Sequence, residues 1–169
     1  MRSRPPSCFN LVGALVVLVG VLAGAPQARS QQSAAETYAV IVSPEVRQSD
    51  LAEAQLRDIF TFEQRFWAPG KQIVLLLPPV GSGARQLLLG RLYGTNESGL
   101  KRLILSRLYE GSIDAAPKVT DADAQAVQLV AATSGTIAVV PLQAASAATV
   151  KILKIGGRLP SESGYPLSR

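Results

Sequence analysis

"KQIVLLLPPVGSGARQLLLGRLYG", residues 71–94, decides the fold. Ile73-Val74-Leu75-Leu76-Leu77 is an unbroken apolar run of strand length, and a run without polar alternation suits a strand buried on both faces. Pro78-Pro79 ends it and Gly81-Ser82-Gly83 turns the chain. Leu87, Leu88, Leu89, Leu92 and Tyr93 then recur as the wide apolar face of a helix that Gly94 stops. Strand, glycine turn and helix make the repeating unit of an α/β protein. The same arrangement builds an anion cradle: glycines let successive N–H groups converge, and a helix start adds unpaired N–H groups and a positive dipole end. Ser82 would contribute a hydroxyl and Arg85 a charge. The candidate ligand residues are therefore Gly81, Ser82, Gly83, Ala84 and Arg85. A plain strand-to-helix turn, with glycines for sterics and Arg85 solvated, uses the same letters. The turn is not a Walker loop, because no Gly-Lys-Ser/Thr ends it.

Working outward, Tyr38 to Val42 is strand-like and closes at Ser43-Pro44. Ser49 stands where an N-cap belongs, with Asp50 in the first turn and Leu51, Leu56, Ile59 and Phe60 at helical spacing up to about Thr61. Phe62 to Gly70 reads as an aromatic connection whose Trp67 packs it onto the core, with Arg65 facing solvent. Downstream, Asn96 or Ser98 caps a helix running to Tyr109, and Thr120 caps another over residues 121–133, with Asp121 and Asp123 at its positive end. Thr136 to Val140 is a strand cut off by Pro141. Val150 to Ile155 alternates as a half-exposed strand. The expected fold class is α/β, a small mixed sheet flanked by helices, over residues 38–155. Residues 31–37 read as a flexible start and 156–169 as an irregular tail.

Residues 1–30 read as a secretory leader: Arg2 and Arg4, an apolar run from Leu11 to Leu22, then Ala28-Arg29-Ser30 for cleavage. The apolar run is shorter than the ~20 residues of a spanning helix, so the expectation is a periplasmic or secreted chain that is not membrane-embedded after cleavage. The formal net charge is +5. When Arg2, Arg4 and Arg29 leave, 17 basic residues fall to 14 against 12 acidic, which gives no footprint for nucleic acid. Cys8 is the one cysteine and histidine is absent. Beyond the leader this excludes a disulfide framework, a Cys or His zinc site, a Ser-His-Asp triad and a Cys-His nucleophile. The scattered carboxylates suit solvated helix faces better than acid–base work. The expectation is no enzyme, no metal and no cofactor.

The order of motifs then resembles the phosphate-binding periplasmic proteins of ABC transporters. That family typically shows a Leu-x-x-x-x-Leu-x-x-Ile-Phe helix, a Trp, an apolar strand and a Gly-Ser-Gly-Thr turn opening a helix. Leu51, Leu56, Ile59-Phe60, Trp67, Ile73 to Leu77 and Gly81-Ser82-Gly83-Ala84 stand in that order here. "AATSGTIAVVP", residues 131–141, is similar to a later strand of the family. The resemblance implies a periplasmic-binding-protein-like fold, a single lobe of the family's two, with a small phosphate-like oxyanion at the turn. Where the family reads Arg-x-Asp-Gly-Ser-Gly-Thr, this chain has Pro78 for the arginine, Val80 for the aspartate and Ala84 for the threonine. Ser82 and Gly83 persist, and Arg85 is a substitute charge. The alternative is a non-catalytic interaction module on a decayed lobe, its exposed face taking a protein partner or a second copy.

Overall fold

The computed structural model describes residues 36–146 and 149–168. The expected leader, with Cys8, lies outside the described residues. In chain order the elements are β1 (Tyr38–Val42), β2 (Asp50–Leu51), α1 (Glu53–Phe60), β3 (Phe66–Trp67), β4 (Lys71–Gln72) and β5 (Val74–Leu77). There follow α2 (Gly83–Leu88), a π-helical turn (Leu89–Tyr93), α3 (Glu97–Tyr109), β6 (Lys118–Val119) and α4 (Asp123–Ala132). The chain ends with β7 (Thr136–Pro141), α5 (Leu142–Ser146), β8 (Lys151–Ile152) and β9 (Lys154–Ile155).

The main sheet has the order β6-β5-β7-β1-β8. β5 runs parallel to β6 and β7, while β1 is antiparallel to β7 and β8. The mixed α/β sheet expected from the sequence is therefore present. Its three central strands, β5, β7 and β1, are apolar for most of their length because both faces are covered, while the edge strands β6 and β8 carry Lys118 and Lys151. Side chains alternate along each strand, so Tyr38, Val40 and Val42 enter one core with Leu75, Leu77, Ile137 and Val139. Leu56, Ile59 and Phe60 of α1, Leu87 and Leu88 of α2 and Leu100 of α3 close that face. Ala39, Ile41, Leu76, Ala138 and Val140 point the other way, against Ala126, Val127 and Val130 of α4 and Ala145 of α5.

Several local expectations are corrected. Ser49 caps no helix; its carbonyl accepts from Lys154 N–H, and Asp50–Leu51 pairs in parallel with β9. The helix starts at Glu53, where Gln55 Oε1 accepts from Ala52 N–H at 3.1 Å. Thr120 is buried at the end of β6, its N–H and hydroxyl both donating to Leu77 O, and α4 begins only at Asp123. Val150 to Ile155 is two short strands, not one: buried Leu153 separates β8, on β1, from β9, on β2. Asn96, of the two capping candidates, is the one used, its Oδ1 accepting from Gly99 N–H. Trp67 is buried and its Nε1 donates to Gly135 O at 2.8 Å, so it does pack its loop onto the core. Arg65 is exposed, but its Nη1 also donates to Ser112 O.

Candidate ligand-binding site

The turn at 81–85 is built as a helix start. Gly81 takes a positive φ of 82°, which the missing side chain makes easy. Ser82 is the N-cap: its Oγ accepts from Arg85 N–H at 3.1 Å and its carbonyl from Gln86 N–H. The next two donors, Gly83 N–H and Ala84 N–H, have no partner among the described residues. Those orphan N–H groups are what a helix N-terminus offers an anion.

An acidic side chain crowds this positive end. Glu36, just before β1, accepts a hydrogen bond from the Tyr38 hydroxyl. A Cβ placed on Gly83 would lie 2.9 Å from Glu36 Oε2 and nearer still to Tyr38 Oη. Asp123, at the start of α4, feels the charge of Glu36. Its carboxyl is pushed above the usual aspartate range, first by burial and then by the charge of Glu36.

Arg85 does not point its charge at the open N–H groups. Its side chain is only 5% exposed and forms a two-pronged pair with Glu97: Nε to Oε1 at 2.8 Å and Nη2 to Oε2 at 3.0 Å. This fork geometry is a strong form of ion pair, and hydrogen bonding from Arg85 holds the Glu97 carboxyl below its ordinary value. The third guanidinium nitrogen, Nη1, is buried without a partner. Of the five sequence candidates, Gly81, Ser82 and Gly83 form the accessible lip. Ala84 is buried in the core and Arg85 is committed to α3.

Glu36, Tyr38 and Glu97 were not singled out by the sequence. Glu36 sits in what reads as a flexible start, and nothing in its neighbours shows that it returns to a turn more than forty residues on. Glu97 reads as an ordinary first-turn acid of α3. Pairing across twelve positions has no periodic signal.

The chain matches no protein-family model and no curated protein. Solved structures do match. PstS from Borrelia burgdorferi superposes with a TM-score of 0.65 at 16% identity, covering 79% of this chain and 55% of that one. A putative phosphate ABC transporter substrate-binding protein with bound phosphate, from Clostridium perfringens, gives 0.61 at 18%, covering 79% and 53%. An ABC-type phosphate transport receptor from Vibrio cholerae gives 0.64 at 14%, covering 79% and 54%. The chain has the fold of these binding proteins. It spans about half their length. Among the described residues no helix is long and apolar enough to cross a membrane, and no cluster of acidic, His or Cys side chains could hold a metal.

Proposed function

We propose that the chain is a solute-binding-like lobe, periplasmic after loss of its leader, that takes a small phosphate-like oxyanion weakly at the 81–84 turn. The observation that carries this is the pair of unpartnered N–H groups on Gly83 and Ala84 beside the Ser82 hydroxyl. Neighbouring structures of phosphate transport proteins support the choice of anion. Ser82 is free to donate its hydroxyl proton while its oxygen accepts from Arg85 N–H. Arg85 is not a ligand in this scheme. It holds the turn against α3 through Glu97. No group is activated and no bond is made, so the activity is capture, without chemistry or cofactor.

Glu36 sets the strength. A carboxylate beside Gly83 repels an incoming anion, so the wild-type site is weak and Glu36→Gln is expected to tighten phosphate binding about tenfold. Calorimetric titration with inorganic phosphate at low salt tests this. Saturable heat that grows tighter in Glu36→Gln and weaker in Ser82→Ala is the expected result. A folded chain giving no heat with phosphate in either the wild type or Glu36→Gln would sink the proposal.

A second reading, an interaction module, is favoured by α3. Leu105 is 43% exposed and Tyr109 89% exposed, one turn apart on the same face. An apolar stripe of that kind marks a surface that something can cover.

A further inference from the structure

A cavity lies between α3 and the β6 edge of the sheet, lined on one side by the Arg85 side chain. Its volume is about 460 Å³, within the ~300–1,000 Å³ of small-molecule sites. Leu100, Ile104 and Leu108 of α3 form one wall, and Leu77 of β5 and Val119 of β6 the other. Arg85, Glu97 and Lys101 lie together in the same lining. We infer that this cavity is a binding site for an amphipathic monocarboxylate, an acyl chain of medium length with its carboxylate between Arg85 and Lys101.

Three observations converge on that class. The first is charge. Arg85, Glu97 and Lys101 sum to one positive charge, and Lys101 forms no ion pair among the described residues. A single anion completes the set. The second is the buried Nη1 of Arg85, a cationic donor without an acceptor. Leaving such a donor unsatisfied is unfavourable, and a carboxylate oxygen beside it relieves the cost. Glu97 does not do so: its two oxygens face Nε and Nη2, on the other edge of the guanidinium. The third is the apolar remainder of the lining. Lys101 to Leu108 is seven helical steps, about 10 Å along α3, the length of an extended chain of about eight carbons. Such walls disfavour a bare phosphate, whose charge would lose its water with too few donors to replace it. The site thus differs in place and in ligand chemistry from the 81–84 turn.

Titration of the isotope-labelled chain with octanoate, followed by amide shifts, tests the assignment, with octan-1-ol and inorganic phosphate as comparison probes. Saturable shifts centred on residues 101–108 are expected, with an apparent Kd below about 1 mM. Octan-1-ol, with the same tail and no charge, should bind at least about tenfold more weakly. Lys101→Gln should weaken octanoate about threefold to tenfold and leave octan-1-ol unchanged. Leu105→Asp, at an exposed rim position, should weaken both. Excess phosphate should not displace octanoate, which separates this site from the turn whether or not the turn binds phosphate. Equal affinity for octanoate and octan-1-ol would overturn the inference, as would shifts centred on 81–85. So would the absence of saturation up to about 5 mM, or α3 shifts that follow protein concentration alone, which would assign the groove to a second copy.

Discussion

Gly83 shows how one residue serves two ends. It gives the turn an open N–H, and its missing side chain makes room for the Tyr38 hydroxyl and the Glu36 carboxylate. An alanine there would drive its Cβ into Tyr38 Oη, and neither β1 nor the helix start can move without disturbing the buried sheet. Gly83→Ala is expected to destabilise the fold by about 1–3 kcal/mol, read from urea unfolding midpoints. Most of that loss should vanish in a Tyr38→Phe background, because the colliding oxygen is then gone. A cycle in which the two changes simply add would place the cost in the neighbouring Glu36 carboxylate instead, because Gly83 has no positive φ and alanine meets no backbone penalty there.

At the scale of elements, the Arg85–Glu97 pair ties the start of α2 to the start of α3. α3 needs the tie: of its thirteen residues only Leu100 is buried. Glu97→Ala leaves the Arg85 guanidinium buried without its partner and should cost about 1–3 kcal/mol. Arg85→Met, which removes the charge and keeps the volume, should cost less. The ordering of the two by thermal melting is the check; Arg85→Met as the more damaging change would contradict this account. The pair also confers a pH dependence. The folded Glu97 carboxyl lies below its ordinary 4.5, so its stabilisation is present at neutral pH. It is lost as the pH falls from 4.5 through the lowered value. Glu97→Gln should flatten the acid limb of the stability profile.

The element scale also shows what was legible in the sequence. Apolar runs with clean ends, Tyr38–Val42, Val74–Leu77 and Thr136–Val140, declare themselves as strands because burial on two faces demands continuous hydrophobicity. The turn at Gly81–Ser82–Gly83 is legible because its glycines and N-cap act locally. Two-residue strands are not: Asp50–Leu51 and Lys118–Val119 exist through pairing with distant partners. Asp50 looks like a first-turn helix acid until its Oδ1 is found accepting from Gly157 N–H. For the same reason Arg85 could be read as a ligand. Its helix position is local information, but its commitment to Glu97 is tertiary.

For the whole molecule the decisive segment is the tail, which has almost no regular structure and no strong sequence pattern. Residues 156–168 nevertheless close the large core: Tyr165 and Leu167 are buried in it, and Leu167 O accepts from Tyr38 N–H at the start of β1. The tail thereby seals the edge from which Glu36 reaches the turn. Leu167→Ala should cost about 2–5 kcal/mol, far more than an irregular terminus usually does. Alkali offers a second view of the same docking. Burial pushes the Tyr165 hydroxyl up to about 12, and it raises Tyr93 as well. Unfolded tyrosines ionise near 10.0, while these two remain protonated in the folded chain, so stability should hold below pH 10.0 and fall as the pH rises towards 12. Followed by tyrosinate absorbance, the two buried hydroxyls should ionise only with global unfolding. In Leu167→Ala, Tyr165 should titrate earlier and Tyr93, which packs edge-on against Phe60, should not. Early ionisation of both would mean that the tail and the π-helical turn open as one unit.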